Sequence, residues 1–286
     1  MPVPRKSEVR LRVLATAVSS SDCYIRGLSL SPAYRILARL ALGWNAPRRS
    51  VLGMVLSGEV ESVGADVETF EPGDRVFGFN QRRFGTYAEY VCWPEDGLLA
   101  PRPANLTDEE SAAIPYGGLL ALHFLRKAGV RAGQSVLVFG ASGAVGTSAV
   151  QLARYLGAEV TGVCSTANVE LVASLGATTV VDYTVEDFVD GAERYDLIFD
   201  AVGKNKSASA LRRCEKVLAP GGACISVDDG TPKFNCEDLL LLGELATKGE
   251  IKPAIDRTYA SLDDIVDAHR YVDKGHKRGN VIIALT

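Results

Sequence analysis

Seven residues, Gly140-Ala141-Ser142-Gly143-Ala144-Val145-Gly146, stand between an apolar run at Ser135–Phe139 and an apolar helical stretch at Val145–Leu156. What this run offers chemically is bare backbone. Glycine admits a sharp turn and a close approach to a pyrophosphate, and free N–H groups at a helix start meet the charge. A glycine pattern alone says little. The strand before it, the helix after it and a further β run about 20 residues on make it a dinucleotide-binding loop. That next run ends Val163-Cys164-Ser165-Thr166-Ala167-Asn168, with no carboxylate where NAD-binding chains hold the ribose hydroxyls. A missing acid removes repulsion against a 2′-phosphate. Ser165, Thr166 and Asn168 carry donors for one, although no Lys or Arg in the stretch supplies a countercharge. The pattern favours NADPH and leaves NADH possible.

Around this loop, β runs and helices alternate. A capping box at Thr107-Asp108-Glu109-Glu110 opens a helix. Beyond the loop come β runs at Glu159–Cys164, Thr179–Asp182, Tyr195–Ala201 and Ala223–Val227, with helices at Asn168–Leu175 and Ser207–Leu218. Short β runs joined by helices predict a doubly wound parallel sheet. Residues 8–105 read differently, as β-rich. Val9, Leu11 and Val13 alternate with Arg10 and Arg12 at the period of a half-buried strand, Tyr87–Cys92 reads as another strand, and Glu71-Pro72-Gly73-Asp74 is a turn. Ala33–Trp44 is either a short amphipathic helix beside a pocket or a loop covering the core. The tail has an extended run at Ile251–Tyr259, a helix at Leu262–Val272 and a final strand at Val281–Leu285.

Composition excludes several classes. A chain of 286 residues with 47% hydrophobic and 23% charged residues is an ordinary globular protein of about two domains. The net charge of -4 provides no basic field for nucleic acid or anionic lipid. No apolar run approaches the roughly 20 residues of a membrane helix, and the N-terminus lacks a signal peptide's apolar core. Cys23, Cys92, Cys164, Cys214, Cys224 and Cys236 are scattered without metal or disulfide spacing. These features predict a cytoplasmic protein with a small-molecule substrate and neither a nucleic-acid nor a membrane partner.

The loop GASGAVG followed by TSAVQLARYLGAEV, then SLGATTVVDY and YDLIFDAVG, resembles the quinone oxidoreductase branch of the medium-chain dehydrogenase/reductase superfamily. The blocks Ser21–Gly27, Gly73–Gly78, Gly85–Tyr90 and Gly275–Val281 resemble it too, in the expected order. The resemblance implies a discontinuous GroES-like catalytic domain of residues 1–105 and 252–286, N-terminally short, around a Rossmann domain of residues 106–251. The active site is then expected in the cleft. By the same resemblance Gly140, Ser142, Gly143, Ala144, Val145, Gly146 and Val202 hold the cofactor, Ser165 and Tyr183 match positions around the 2′-phosphate, and Asn168 sits where relatives place a Lys. Tyr24 matches a tyrosine lining the quinone site. Ser19 stands where quinone oxidoreductases carry Asn and zinc alcohol dehydrogenases carry a Cys ligand.

Gly53-Met54-Val55 replaces the Gly-His-Glu of the zinc branch, and neither Met nor Val stands in for an imidazole or carboxylate. The expectation is therefore no metal. Relatives also carry an apolar helix and a sixth strand after Val227, used for pairing subunits. Here Asp228-Asp229-Gly230-Thr231-Pro232 reads as a tight polar turn, which predicts a shortened sheet and leaves the oligomer open. A pocket without a Lewis acid suits acceptors that spread the developing charge. Quinones and α,β-unsaturated carbonyls rank first, with Tyr24 and Ser19 orienting the carbonyl and Tyr24 or water giving the proton. A non-zinc alcohol dehydrogenase or carbonyl reductase, and an NADPH-binding protein with little turnover, are the alternatives. Tyr24 reads equally as a core tyrosine. Asp22 reads as a buried structural acid, His123 as packing, and Arg48-Arg49 and Arg82-Arg83 as solvated charge or a phosphate contact.

Overall fold

The computed structural model describes residues 1–27, 51–81, 83–186, 188–189, 193–204, 207, 212–213 and 215–285. The expected Ala33–Trp44 segment, Arg48-Arg49, Arg82 and Cys214 lie outside the described residues. The chain forms two compact units, Met1–Pro115 with Ile255–Thr286, and Tyr116–Ala254.

The first unit is built on β1 (Glu8–Val18). Its alternation does what period 2 requires: Val9, Leu11 and Val13 are at most 2% exposed, and Arg12 faces solvent. One edge pairs antiparallel with β2 (Val55–Val63). The other edge is shared, Glu8–Arg12 pairing β4 (Tyr90–Pro94) and Ala15–Val18 pairing β12 (Asn280–Ala284). With β3 (Arg75–Phe79), β5 (Leu99–Pro101) and β11 (Ile255–Tyr259) this makes a seven-stranded sheet whose core holds Leu11, Leu56, Val76 and Trp93. The strand expected at Tyr87–Cys92 begins later, at Tyr90, because Tyr87 and Thr86 turn back to Leu52 and Gly53 through their backbone N–H groups. Two helices border the sheet: α1 (Ser20–Gly27), which hydrophobic periodicity alone did not suggest, and α2 (Asp108–Ala112). Thr107 opens α2 with the expected reciprocal box, its hydroxyl accepting from Glu110 N while Glu110 accepts from Thr107 N.

The second unit follows α3 (Pro115–Lys127) with β6 (Ser135–Phe139), α4 (Ala144–Tyr155), β7 (Glu159–Cys164), α5 (Val169–Ser174), β8 (Thr179–Asp182), β9 (Tyr195–Asp200), β10 (Leu218–Ser226) and α6 (Cys236–Thr247). All five strands are parallel, in the order β10-β9-β6-β7-β8. The short sheet agrees with the sequence. The helix expected to run through Leu218 does not: Glu215–Val217 is a single 3₁₀ turn and Leu218 already pairs with Tyr195. A register shift before Ala223 absorbs Gly221 and Gly222, so β10 is longer than its apolar residues suggest. In the first unit, α7 (Ile265–Asp273) packs on β12 and β1, and the chain ends in β12.

Candidate functional site

Strand order reverses beside β6, the place where open α/β sheets take ligands at the carboxyl ends of their strands. Gly140 leaves β6 with φ of +77°. Its N–H and that of Ala141 both donate to Val163 O, at 3.1 and 3.0 Å, which ties the loop to the end of β7. Gly143, extended at φ −79° and ψ 175°, precedes α4 and provides no side-chain cap for its first N–H groups. The glycines are not interchangeable. A Cβ on Gly146 would overlap the Gly140 carbonyl oxygen, and one on Gly140 would overlap the Val202 side chain. A Cβ on Gly143 would meet nothing nearer than 3.6 Å, so this glycine keeps open the approach to the helix end. Ser142 is half-buried, and Ala144, Val145 and Gly146 are buried in the first turn. These residues form a cradle that fits a dinucleotide pyrophosphate.

Val202 belongs to the same corner. Ala201 N donates to Phe139 O at 3.0 Å, joining the ends of β9 and β6. Beneath it sits Asp200, fully buried, an acid that no sequence pattern singled out. One carboxylate oxygen accepts from Val202 N (3.1 Å) and Gly203 N (3.2 Å), the other from the Ser207 and Ser226 hydroxyls at 2.8 Å each. Four donors hold the turn that walls Gly140. The expected polar turn after β10 packs against the same segment: Asp228 accepts from Lys204 N at 2.8 Å, and Asp229 pairs with the Lys204 ammonium.

At the far end of β7, Asn168 is buried and its Nδ2 donates to Ser165 Oγ at 3.0 Å, while its Oδ1 accepts no hydrogen bond. The bond occupies a lone pair of the Ser165 hydroxyl and leaves its proton for another acceptor. Thr166 meets Thr184 hydroxyl to hydroxyl at 2.8 Å. Tyr183 is 56% exposed, with its N–H on Cys164 O. An acid is present here after all. Asp182 closes β8 directly beside Cys164 and accepts from Thr184 N (3.0 Å) and Oγ1 (2.6 Å). Hydrogen bonds from Thr166 and Thr184 hold its carboxyl below the usual range, so the charge persists. The signal lay in the parallel register, which sets the end of β8 level with the end of β7.

The proposed catalytic residues lie at α1, in the first unit. Ser19 is 3% exposed and its hydroxyl donates to Asp22 Oδ2 at 2.6 Å, with Asp22 N returning to Ser19 Oγ at 3.2 Å. Asp22 is buried as expected, with Oδ1 accepting no hydrogen bond, and burial pushes its pKa up against the opposing pull of Ser19. Tyr24, one turn on, is 40% exposed, which places its ring at the surface of this unit. Cys23 lies 3.5 Å from His269 Nδ1. Burial, with Asp273 adding to it, raises the thiol to about 12, and burial lowers His269, so the pair is neutral. His123 packs edge-on to Phe124.

A zinc ion does not fit these residues. Ser19 is committed to Asp22, and the Met54 and Val55 side chains are each 1% exposed and supply no hard or borderline ligand. Among the described residues no group of three or more His, Cys, Asp or Glu side chains gathers as a metal site.

Two family models match: the alcohol dehydrogenase GroES-like domain over residues 5–104 and the zinc-binding dehydrogenase over residues 144–266. A 2-methylene-furan-3-one reductase from Solanum lycopersicum is 32% identical, covering 99% of this chain and 73% of the relative. An NADPH-dependent alkenal/one oxidoreductase, chloroplastic, from Arabidopsis thaliana is 29% identical over the same shares. Among solved structures, the quinone oxidoreductase from Coxiella burnetii superposes with a TM-score of 0.85 at 28% identity, covering 100% of this chain and 93% of that one.

Proposed function

Because the chain belongs to the medium-chain dehydrogenase/reductase superfamily, in its quinone-oxidoreductase-like branch, we propose that it is a zinc-independent, NADPH-dependent oxidoreductase acting on quinones or α,β-unsaturated carbonyls. The observation that carries this is the Gly140–Gly146 cradle at the sheet's reversal point, where two of three glycines exclude any side chain. Bound nicotinamide supplies hydride to the electrophilic carbon. The chain's own part is to hold and to donate.

The first N–H groups of α4 take the pyrophosphate, and Val202, fixed by Asp200, borders the loop. Ser165, with its proton free, Thr166, Asn168 and Tyr183 receive the adenosine ribose and its 2′-phosphate. Asp182 opposes that phosphate, so the preference for NADPH over NADH is modest. Without a metal, charge growing on the acceptor oxygen must meet hydrogen-bond donors. Tyr24, exposed on α1, serves as that donor. Ser19 positions the start of the helix through Asp22, with its hydroxyl proton already engaged. Conjugated acceptors spread the charge, which suits one modest donor. The discontinuous division at residues 105 and 252 remains part of this proposal. Among the described cysteines, Cys23, Cys92, Cys164, Cys224 and Cys236 form no disulfide, which supports a reducing compartment such as the cytoplasm.

The test is NADPH oxidation by purified protein with ortho- and para-quinones, a medium-chain enal and a simple ketone, with NADH in parallel. Turnover on quinone or enal, lowered about 10²-fold or more in Tyr24→Phe, supports the proposal. Tight NADPH binding with no turnover on any acceptor replaces it with a cofactor-binding protein that lacks catalysis.

A further inference from the structure

The helix α1, which carries Tyr24, has little of its own to keep it in place. It is two turns long, and only Asp22 and Cys23 of its 8 residues are buried. Helices so short are marginal without tertiary contacts. The Arg26–Asp273 ion pair ties it to α7, but the two side chains are 42% and 44% exposed, and such pairs contribute little. Cys23 adds a thiol contact to His269 Nδ1 at 3.5 Å, a weak bond at best. What remains is Asp22. Its Oδ2 serves Ser19, at the start of the helix itself. Its Oδ1 is sealed from water and accepts no hydrogen bond. A buried carboxyl oxygen left in that state is costly, so a donor outside α1 that can reach it fixes where the helix sits.

Tyr87 turns such a donor towards it. Burial raises the Asp22 pKa, and the groups drawing it back are Ser19, then the Tyr87 hydroxyl and the Gly53 N–H. Burial first, and the Asp22 charge second, raise the Tyr87 phenol well above its ordinary value, so the hydroxyl keeps its proton. That proton also faces Ala17 O, at a long 3.4 Å. Of two acceptors, a carboxylate makes the stronger bond. The mount behind Tyr87 is firm. Its N–H and that of Gly85 both donate to Leu52 O at 3.1 Å. Thr86 is fully buried, its hydroxyl 2.9 Å from that of Thr16, which donates to Val55 O at 2.6 Å. The Tyr87 ring lies against Gly53, where φ is +90° and a Cβ would overlap both the ring and the Thr86 hydroxyl. It also meets His269 edge-on, with ring centroids 5.7 Å apart.

We propose that Tyr87 is a positioning residue of the acceptor site: its hydroxyl serves Asp22 Oδ1 and so holds the start of α1, and with it Tyr24, against the sheet. This rests on the reading of Tyr24 as the donor to the acceptor oxygen. In this role Tyr87 acts through Asp22 and touches neither acceptor nor cofactor.

Steady-state kinetics and hydrogen exchange on Tyr87→Phe test this, since the variant keeps the ring on Gly53 and removes one oxygen. The expected result is a kcat/KM for a medium-chain enal lowered about tenfold, the worth of one charge-assisted hydrogen bond, with the Kd for NADPH unchanged. The Cys23, Tyr24 and Ile25 amides should exchange about tenfold faster while those of Leu11–Val13 keep their rate. In an Asp22→Ala background the further effect of Tyr87→Phe should shrink below about twofold, because its partner has already gone. Arg26→Gln, which removes the exposed ion pair, should change each readout by less than about threefold. Unchanged exchange in α1, equal acceleration throughout the sheet, or full additivity with Asp22→Ala overturns the proposal. If the parent turns over no acceptor, the reductase reading fails by itself, and the exchange rates still decide whether Tyr87 holds α1.

Discussion

Asp22 Oδ2 receives two hydrogen bonds from one residue, the Ser19 backbone N–H at 2.9 Å and the Ser19 hydroxyl at 2.6 Å, in a spot where both side chains are at most 3% exposed. The arrangement opens α1, and its weakness is Oδ1, which is buried and accepts nothing.

That weakness sets a pH dependence. Burial raises the Asp22 pKa above its unfolded value of about 3.9. The folded protein therefore holds this proton at a pH where the unfolded chain has released it. The favourable contribution is complete below the unfolded value and is lost as pH rises through the folded one. Asp22→Asn, which keeps the shape and removes the charge, is expected to lose less stability than the parent between pH 4 and pH 7. Urea unfolding at several pH values measures this. Tyr87 and Cys23 face the same region and are themselves raised by the Asp22 charge, but both titrate above this pH window in either protein.

Gly140→Ala and Gly146→Ala should both lower NADPH affinity and melting temperature, for different reasons. At Gly140 the cost is a left-handed conformation, about 1–2 kcal/mol, plus displacement of Val202. At Gly146 the cost is backbone overlap, about 1–3 kcal/mol. Gly129→Ala, with φ of +70° and no atom within 4 Å of the added carbon, is the control. It should lose stability while NADPH binding, followed by fluorescence, stays unchanged.

Ser226→Ala leaves one oxygen of the fully buried Asp200 with a single donor. A loss of about 1–3 kcal/mol is expected in thermal unfolding. Because the same carboxylate anchors Val202 and Gly203, the Kd for NADPH should rise as well. An unchanged Kd would mean the turn is held without it.

Asp182→Asn should raise the ratio of kcat/KM for NADPH over NADH severalfold. It removes a charge that Thr166 and Thr184 hold ionised beside the Ser165 end of β7. The effect should shrink with added salt.

Much of this was legible in sequence. Ser135–Phe139, Glu159–Cys164 and Thr179–Asp182 coincide with β6, β7 and β8 because buried parallel strands are short apolar runs bounded by glycine or polar residues. The Thr107 box was legible because capping is local. The helix α1 passed unnoticed since Ser20–Gly27 carries few apolar residues, although Ser19 and Asp22 have the spacing of a reciprocal cap. Asp200 was illegible: its hydroxyl partners stand 7 and 26 residues away, Ser207 brought back by the turn after β9 and Ser226 by β10 lying beside β9. Asp182 was missed for the same reason, a neighbour across strands and not along the chain.

The shared edge of β1 bears on the order of folding. Its first half pairs with β4, made soon after it, but its second half pairs with β12, which is synthesised only after the whole Tyr116–Ala254 unit. The Tyr116–Ala254 unit, by contrast, is one continuous stretch whose strands all precede that point. On a translating ribosome the inserted unit has every partner it needs while Ala15–Val18 still waits for Val281–Ala284. Closure of the first sheet is thus a late, long-range step. Until it happens the Val18 end of β1 is an open edge, the part of the nascent chain most exposed to pairing with the wrong strand.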